Sequence, residues 1–281
     1  MIVTAGIDLG STYAKAIVFA DGQRILGRAM ARTGFRLPEV AKRVFAEACA
    51  EADVAEQDVR YVVATGFGRN QVAFRDVKVT DLTAAARGAA FYFPGTRTVL
   101  DIGGQTMKTS RLDEEAKVRS FRLNDKCAAG TGAFIEKTAR YMGFETHEIG
   151  ALAATSKQAV PISGVCAVFA ESEVINHLSQ GCAPADIMHG AIISLVGRSL
   201  QLMKRVRMEP EYTLLGGILR FPTMVDEIRK ELGDGVNVPP GEMVQFTSAL
   251  GAALLGYRRL VRLEEEGRAP APAVGAGAAA R

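Results

Sequence analysis

Thr98-Val99-Leu100-Asp101-Ile102-Gly103-Gly104-Gln105-Thr106-Met107-Lys108 restates the pattern of Ile2-Val3-Thr4-Ala5-Gly6-Ile7-Asp8-Leu9-Gly10-Ser11-Thr12. In each, an apolar run of strand length carries an Asp two residues before a Gly. Small and hydroxyl residues follow, and a second strand picks up behind them, Ala14-Lys15-Ala16-Ile17-Val18-Phe19 in the first copy. Small residues let backbone N–H groups approach phosphate oxygens, and hydroxyls add donors. A single strand–glycine hairpin is commonplace. Two with the same spacing point to a duplicated half-domain, because a repeat outweighs one motif.

Working outward, residues 2–33 read as a meander of three strands and Pro38 to Glu51 as a helix whose apolar face is Val40, Val44, Phe45 and Ala48. A short strand at Val62 to Thr65 enters the turn Gly66-Phe67-Gly68-Arg69, and Asp81 to Phe93 is helical. The second copy spans three strands between Arg97 and Leu123. Helices follow at Ala133–Met142, Ala167–Leu178 and Ala185–Val206. A strand at Tyr212–Leu215 ends in Gly216-Gly217, and Gly241 to Leu263 is a final helix. Its small-residue run Ala249-Leu250-Gly251-Ala252-Ala253 is expected to pack back on the first meander. A meander plus helices, occurring twice, predicts two α/β lobes closing on a cleft.

Cys127 stands just before a glycine-hinged turn, Asn124-Asp125-Lys126-Cys127-Ala128-Ala129-Gly130-Thr131-Gly132, that opens into helix. Cys166, in Ile162-Ser163-Gly164-Val165-Cys166-Ala167, also precedes a helical run. A thiolate is stabilised at the positive end of a helix. Two thiolates are too few for a [4Fe–4S] cluster, which takes four, but two chains back to back supply them. The pattern therefore hints at a cluster shared across a dimer. Gly130, Gly132 and Gly164 are the expected places for backbone motion around it.

With these residues in view, the chain resembles the acetate-kinase, sugar-kinase, actin and heat-shock-chaperone superfamily of nucleotide-binding proteins. Within it, residues 2–260 are similar to the BadF/BadG/BcrA/BcrD-type ATPases, which include the activators of 2-hydroxyacyl-CoA dehydratases and the ATPase subunits of benzoyl-CoA reductase. The blocks that carry the resemblance are Asp101–Lys108, Asn124–Glu136 and Cys166–Ile175. The resemblance implies a two-lobed ATPase with duplicated half-domains. Residues 1–95 plus 246–265 would form the first lobe and 96–245 the second, leaving a disordered tail at 266–281. It further implies that Gly10, Ser11, Thr12 and Lys15, with Gly103 and Gly104, bind ATP phosphates, and that Gly216 and Gly217 approach the adenosine. Cys127 and Cys166 would ligate one [4Fe–4S] cluster between two protomers. Partners would be a related ATPase subunit or a second copy, larger acyl-CoA reductase subunits, and ferredoxin as donor.

Individual residues also have plainer uses. Asp8 and Asp101 can end strands, or hold Mg²⁺ through water at a phosphate site. Gln105 can be a surface amide, or, as the resemblance implies, orient the water that attacks the γ-phosphate. Lys15 and Lys108 are phosphate neighbours or solvent-facing strand lysines. Gly216 and Gly217 can equally form a tight turn. Cys49 and Cys182 read as inert thiols, and His147, His177 and His189 have no carboxylate or cysteine at a metal-like spacing.

The chain departs from the activator pattern at three points: Thr106 in place of an acid after Gly-Gly-Gln, Ala85 in a block that usually carries histidine, and Ile218-Leu219-Arg220-Phe221 in the adenosine loop. These departures favour a reductase subunit, with ATP-dependent benzoyl-CoA reduction as the expected activity. A homodimeric dehydratase activator is the near alternative and a small-molecule kinase the distant one.

Composition sets the outer bounds. The chain has 281 residues, a net charge of +3 with scattered basic residues, and no tryptophan. This fits two modest domains and gives no reason for a nucleic-acid partner. No membrane-spanning run is present, and four cysteines without disulfide-like spacing point to a reducing, cytoplasmic setting.

Overall fold

The structure, a computed structural model, describes residues 1–125, 130–163 and 167–268. The chain divides into two compact units, one of Met1–Pro94 with the segment from Phe246 onward, the other of Gly95–Gln245. Cys127, Cys166, Gly164 and the tail from 269 lie outside the described residues.

The first unit is a five-stranded sheet ordered β3-β2-β1-β4-β5. Strands β1 (Val3–Leu9), β2 (Tyr13–Ala20) and β3 (Arg24–Arg32) form the antiparallel meander, and β4 (Tyr61–Thr65) and β5 (Val77–Lys78) continue in parallel from β1. β1 is buried along its whole length, and its alternation decides what covers each face. Val3, Ala5, Ile7 and Leu9 join a core with Val40, Ala41, Val44, Phe45 and Ala48 of helix α1 (Leu37–Glu51). The apolar stripe of α1 runs at helical period behind a proline in its first turn, where the missing N–H costs nothing. On the other face the Thr4 hydroxyl donates to the Ala253 carbonyl at 3.0 Å. That carbonyl belongs to α8 (Met243–Glu265), the final helix. At Gly6 an added Cβ would overlap the Ala249 carbonyl and come within 2.6 Å of the Ala253 nitrogen. Between β5 and the second unit lies α2 (Asp81–Tyr92), capped by the Thr80 hydroxyl, which accepts from the Thr83 N–H at 3.2 Å. Ala85, at one of the three departures, is a buried position of this helix.

The second unit repeats the plan. Its sheet is ordered β10-β9-β6-β7-β8. Here β6 (Thr98–Ile102), β7 (Met107–Leu112) and β8 (Val118–Asn124) form the antiparallel meander, and β9 (Tyr212–Leu215) and β10 (Val236–Asn237) run parallel. The five strands match those of the first sheet in order and direction, so the repeat read from the two Asp-x-Gly runs is a repeat of whole sheets. Between β8 and β9 lie α3 (Gly132–Tyr141), α4 (Ile149–Ala154), α5 (Ala167–Ser179) and α6 (Pro184–Lys204). Leu100, Ile102 and Met107 share a core with Phe134 and Ile135 of α3 and with Met188, Ile192 and Leu195 of α6. Four elements were not anticipated: β5, β10, α4 and α7 (Pro222–Leu232), which buries Met224, Val225 and Ile228.

Candidate functional site

The turns after β1 and β6 are built alike. Leu9 pairs with Ala14 and Ile102 with Met107, so each pair closes a four-residue loop, Gly10–Tyr13 or Gly103–Thr106. In each the glycine N–H donates across the loop, from Gly10 to the Tyr13 carbonyl at 3.2 Å and from Gly103 to the Thr106 carbonyl at 2.8 Å. Thr106, another of the three departures, thus serves the turn through its backbone.

One register step back, Asp8 faces Lys15 and Asp101 faces Lys108. Asp8 Oδ2 lies 3.2 Å from Lys15 Nζ, and Asp101 Oδ2 lies 3.9 Å from Lys108 Nζ. All four side chains are between 12% and 17% exposed, so neither lysine is the solvent-facing strand residue that sequence allowed. A largely buried Asp–Lys pair keeps both charges available while neutralising them locally. Such a pair offers an acid and a base side by side at the foot of each turn.

Around Asp8 the support is dense. The Thr33 hydroxyl donates to the Gly10 carbonyl at 2.8 Å, and the Gly68 N–H donates to the Leu9 carbonyl at 2.7 Å. Gly66 adopts φ +86°, and a Cβ there would overlap Asp8 Oδ1 and lie 2.7 Å from the Leu9 carbonyl oxygen. The hydroxyls of Thr12, in the turn, and Thr65, opposite Asp8 on β4, are buried without a hydrogen-bond partner among the described residues. An unmatched buried hydroxyl costs about 1–3 kcal/mol, so their placement beside the acid suits an incoming polar ligand. Ser11 is half-buried in the same turn, while Gln105 is exposed at the tip of the second.

The second turn is joined to α3. The Gly132 N–H donates to the Gly103 carbonyl at 3.0 Å, and the Ala133 N–H donates to the Gly104 carbonyl at 2.7 Å. Gly216, at φ +104°, presses on β6 so closely that a Cβ would overlap the Ile102 carbonyl, and its N–H donates to the Val244 carbonyl at 2.9 Å. Gly217 has open space beside it, with Gln245 Oε1 at 3.5 Å from a built Cβ. Gly130 and Gly132 differ from the expected hinges. Neither adopts the left-handed conformation, and a Cβ would overlap Asn124 Nδ2 at Gly130 or lie 2.8 Å from Ile218 Cγ1 at Gly132. They are glycine because the space is taken.

Cys127 and Cys166 lie outside the described residues, but their flanks are described. α5 starts at the residue after Cys166. Glu171 of α5 pairs with Lys137 of α3 at 2.7 Å and accepts from the Tyr141 hydroxyl at 3.4 Å, so the helices that follow the two cysteines are tied together. The segment entering Cys166 is held at Ser163, whose N–H donates to Glu173 at 2.5 Å and whose carbonyl accepts from the Ser194 hydroxyl at 3.2 Å. Two thiols per chain fit half of a four-thiolate set. Among the described residues no group of three or more His, Cys, Asp or Glu side chains is gathered for a metal. Cys49 is buried on α1, and that burial, with Glu56 nearby, pushes its thiol up to about 11. Cys182 lies 3.9 Å from His177 Nδ1.

Sequence reading missed His189. Its Nδ1 is 3.0 Å from the Ser156 hydroxyl and its Nε2 is 2.8 Å from Glu227 on α7, bracing the loop after α4 against two helices. Partners 33 and 38 residues away leave no local signal. Gly66 did have one, the Gly-Phe-Gly turn after a strand.

Comparison with known proteins agrees with this architecture. The model of the BadF/BadG/BcrA/BcrD ATPase family matches residues 5–256. The chain is 35% identical to a 2-hydroxyisocaproyl-CoA dehydratase activator of Clostridioides difficile, over 94% of this chain and 98% of the relative. It is 33% identical to one of the benzoyl-CoA reductase subunits of Thauera aromatica, over 95% and 98%. The solved structure of the Clostridium difficile activator with bound ADPNP superposes with a TM-score of 0.88, covering 94% of this chain and 98% of that one at 35% identity. A ROK family glucokinase from Streptomyces griseus, at 17% identity and a TM-score of 0.56 over 91% and 99%, shares the fold alone. Among the described residues no helix is long and apolar enough to cross a membrane.

Proposed function

Since the chain belongs to the BadF/BadG/BcrA/BcrD ATPase family, we propose that it is the ATP-hydrolysing activator of a 2-hydroxyacyl-CoA dehydratase, driving low-potential electrons into that partner. The higher identity to activators than to the benzoyl-CoA reductase relative supports this reading over the ring-reducing one that the three departures favoured. Ala85 is a packed core position, and the bond that the Thr106 carbonyl accepts is one any residue there can make.

The observation that carries the energy coupling is the pair of hydrogen bonds from Gly132 and Ala133 to the second turn. Through them the turn that would meet a phosphate and the helix that follows Cys127 are one mechanical piece. Asp8 and Asp101 would each offer a carboxylate to Mg²⁺, which when bound supplies charge neutralisation at the phosphates; Lys15 and Lys108 would face the phosphates, and Gln105 would orient the attacking water. Gly10, Ser11, Thr12, Gly103 and Gly104 supply donors, and Gly216 with Gly217 admits the adenosine. Cys127 and Cys166 of two copies would hold a [4Fe–4S] cluster, which when bound supplies a one-electron site. A ferredoxin-class donor would supply the electron and the larger dehydratase would receive it. ATP is needed because each tenfold gain in reducing power costs about 1.4 kcal/mol, or about 59 mV for one electron.

The test is anaerobic purification with iron analysis. The protein should come alone, as a pair of copies with about four irons between them, and should activate a dehydratase only with ATP. Cys127→Ala or Cys166→Ala should abolish the iron, while Cys49→Ala and Cys182→Ala should retain it. A full iron content in the Cys127→Ala protein would overturn the reading.

A further inference from the structure

The first N–H groups of an α-helix have no partner inside the helix and must find one outside. In α3 the Thr131 side chain does not cap them. The carbonyls of Gly103 and Gly104 do, so the second phosphate turn is the N-terminal cap of α3. The peptide is planar, so the Gly103 carbonyl moves with the Gly104 N–H and the Gly104 carbonyl with the Gln105 N–H. Neither of those N–H groups has a backbone partner among the described residues. Each of the two planes thus offers a donor at one end and holds α3 at the other.

Gly132 adds a second connection. A Cβ built there would lie 2.8 Å from Ile218 Cγ1, 3.0 Å from Ile218 Cδ1 and 3.2 Å from the Gly103 carbonyl oxygen. Ile218 follows Gly216-Gly217 in the short turn Gly217–Arg220. The bare Cα of Gly132 is therefore wedged between the phosphate turn and the adenosine loop of its own unit. We propose that Gly132 is the coupling point at which nucleotide state is transmitted to α3: the turn caps the helix, Ile218 packs against it, and movement of either displaces its first turn. This rests on the nucleotide reading given above and identifies a positioning residue for it. The Ile218 departure from the family pattern then has a use, as the packing partner of Gly132.

The experiment is amide hydrogen exchange of Gly132, Ala133 and Phe134 in the full-length protein, with ADP and with a non-hydrolysable ATP analogue. The parent protein should show a difference of about 5- to 150-fold between the two, the ordinary range of coupling between sites. Gly132→Ala should bring that ratio close to one, and adding Ile218→Ala should recover part of it, up to the reduced ratio of Ile218→Ala alone, by removing both side-chain atoms the new methyl meets. Ile218→Ala alone adds no atom to the core and keeps the proposal testable if Gly132→Ala does not fold; it should reduce the ratio. The proposal is overturned if Gly132→Ala or Ile218→Ala keeps the parent ratio, or if the double variant recovers nothing. Exchange needs no iron. Iron retained in Cys127→Ala therefore sinks the electron-transfer reading alone, and a parent ratio of one sinks this inference alone.

Discussion

Gly66→Ala is the perturbation with the most direct route from geometry to rate. The residue sits at φ +86°, and its missing Cβ would overlap Asp8 Oδ1 and lie 2.7 Å from the Leu9 carbonyl oxygen. Holding alanine in a left-handed conformation costs about 1–2 kcal/mol, and forcing a methyl into filled space about 1–3 kcal/mol more. At about 2–4 °C per kcal/mol for a protein of this size, melting should fall by about 4–20 °C. The strand carbonyl is fixed by the Gly68 N–H, so the Asp8 carboxylate is the group that moves. It must withdraw by about 1 Å to reach van der Waals separation, and a displacement of that size at a reacting centre costs about 10²-fold in rate. Gly68→Ala is the matched control. Its Cβ would meet only the Leu9 side chain, Cδ2 and Cγ at 2.7 Å and Cβ at 3.4 Å, and its φ is −86°. It should lose stability yet keep Mg²⁺-dependent hydrolysis within about 3-fold of the parent, because no charged group is displaced. Phosphate release and thermal melts on both variants make the measurement. Parent-rate hydrolysis by Gly66→Ala, or an equal loss in Gly68→Ala, would show that Asp8 is not held at the reacting centre by this turn.

The remaining expectations are shorter. Asp101→Ala should remove most Mg²⁺-dependent hydrolysis while leaving nucleotide binding measurable, and Gln105→Ala should lower kcat more than affinity, both read by steady-state rates beside calorimetric titration. Cys49, buried and pushed up to about 11 by that burial with Glu56 nearby, should resist alkylation at pH 8 in the folded protein and react once the protein is unfolded, scored by mass spectrometry. The Asp186 carboxyl is held below its ordinary range by the Gln158 N–H, the Ser156 hydroxyl and the Lys157 N–H. It therefore stabilises the fold above the unfolded carboxylate value of about 3.9, and that contribution is lost as pH falls through the lower folded value. Asp186→Asn should accordingly narrow the difference between melts at neutral and acid pH.

What sequence could deliver follows from what leaves a periodic trace. The two hairpins were legible because Asp, Gly and the strand alternation lie within eleven consecutive residues, and the long helices because their buried faces recur at helical spacing. The elements that escaped have no such trace. β5 and β10 are two residues each, too short for any alternation. α7 was hidden because PTMVDEIRKEL is rich in charged residues and buries a stripe of only three residues. At the site, residue types were readable but partnership was not. Lys15 looked as much like a surface lysine as a phosphate ligand until its register against Asp8 was known. Gly130 and Gly132 looked like hinges because sequence shows that a residue is small, and structure is needed to show what fills the space beside it.

The closing of β1 against α8 also sets an order of events during synthesis. Gly6 meets Ala249 and the Thr4 hydroxyl meets Ala253, contacts that join ends of the chain nearly 250 residues apart, 249 for the hydroxyl. At about 5–20 residues per second a ribosome needs roughly 10–50 s to make the intervening chain. Throughout that time one face of β1, the face that carries Asp8, lacks its covering helix, whereas residues 95–245 form an uninterrupted unit complete before most of α8 emerges. The nascent chain therefore carries the turn after β6 on a finished scaffold and the turn after β1 on an unfinished one, until the last helix docks.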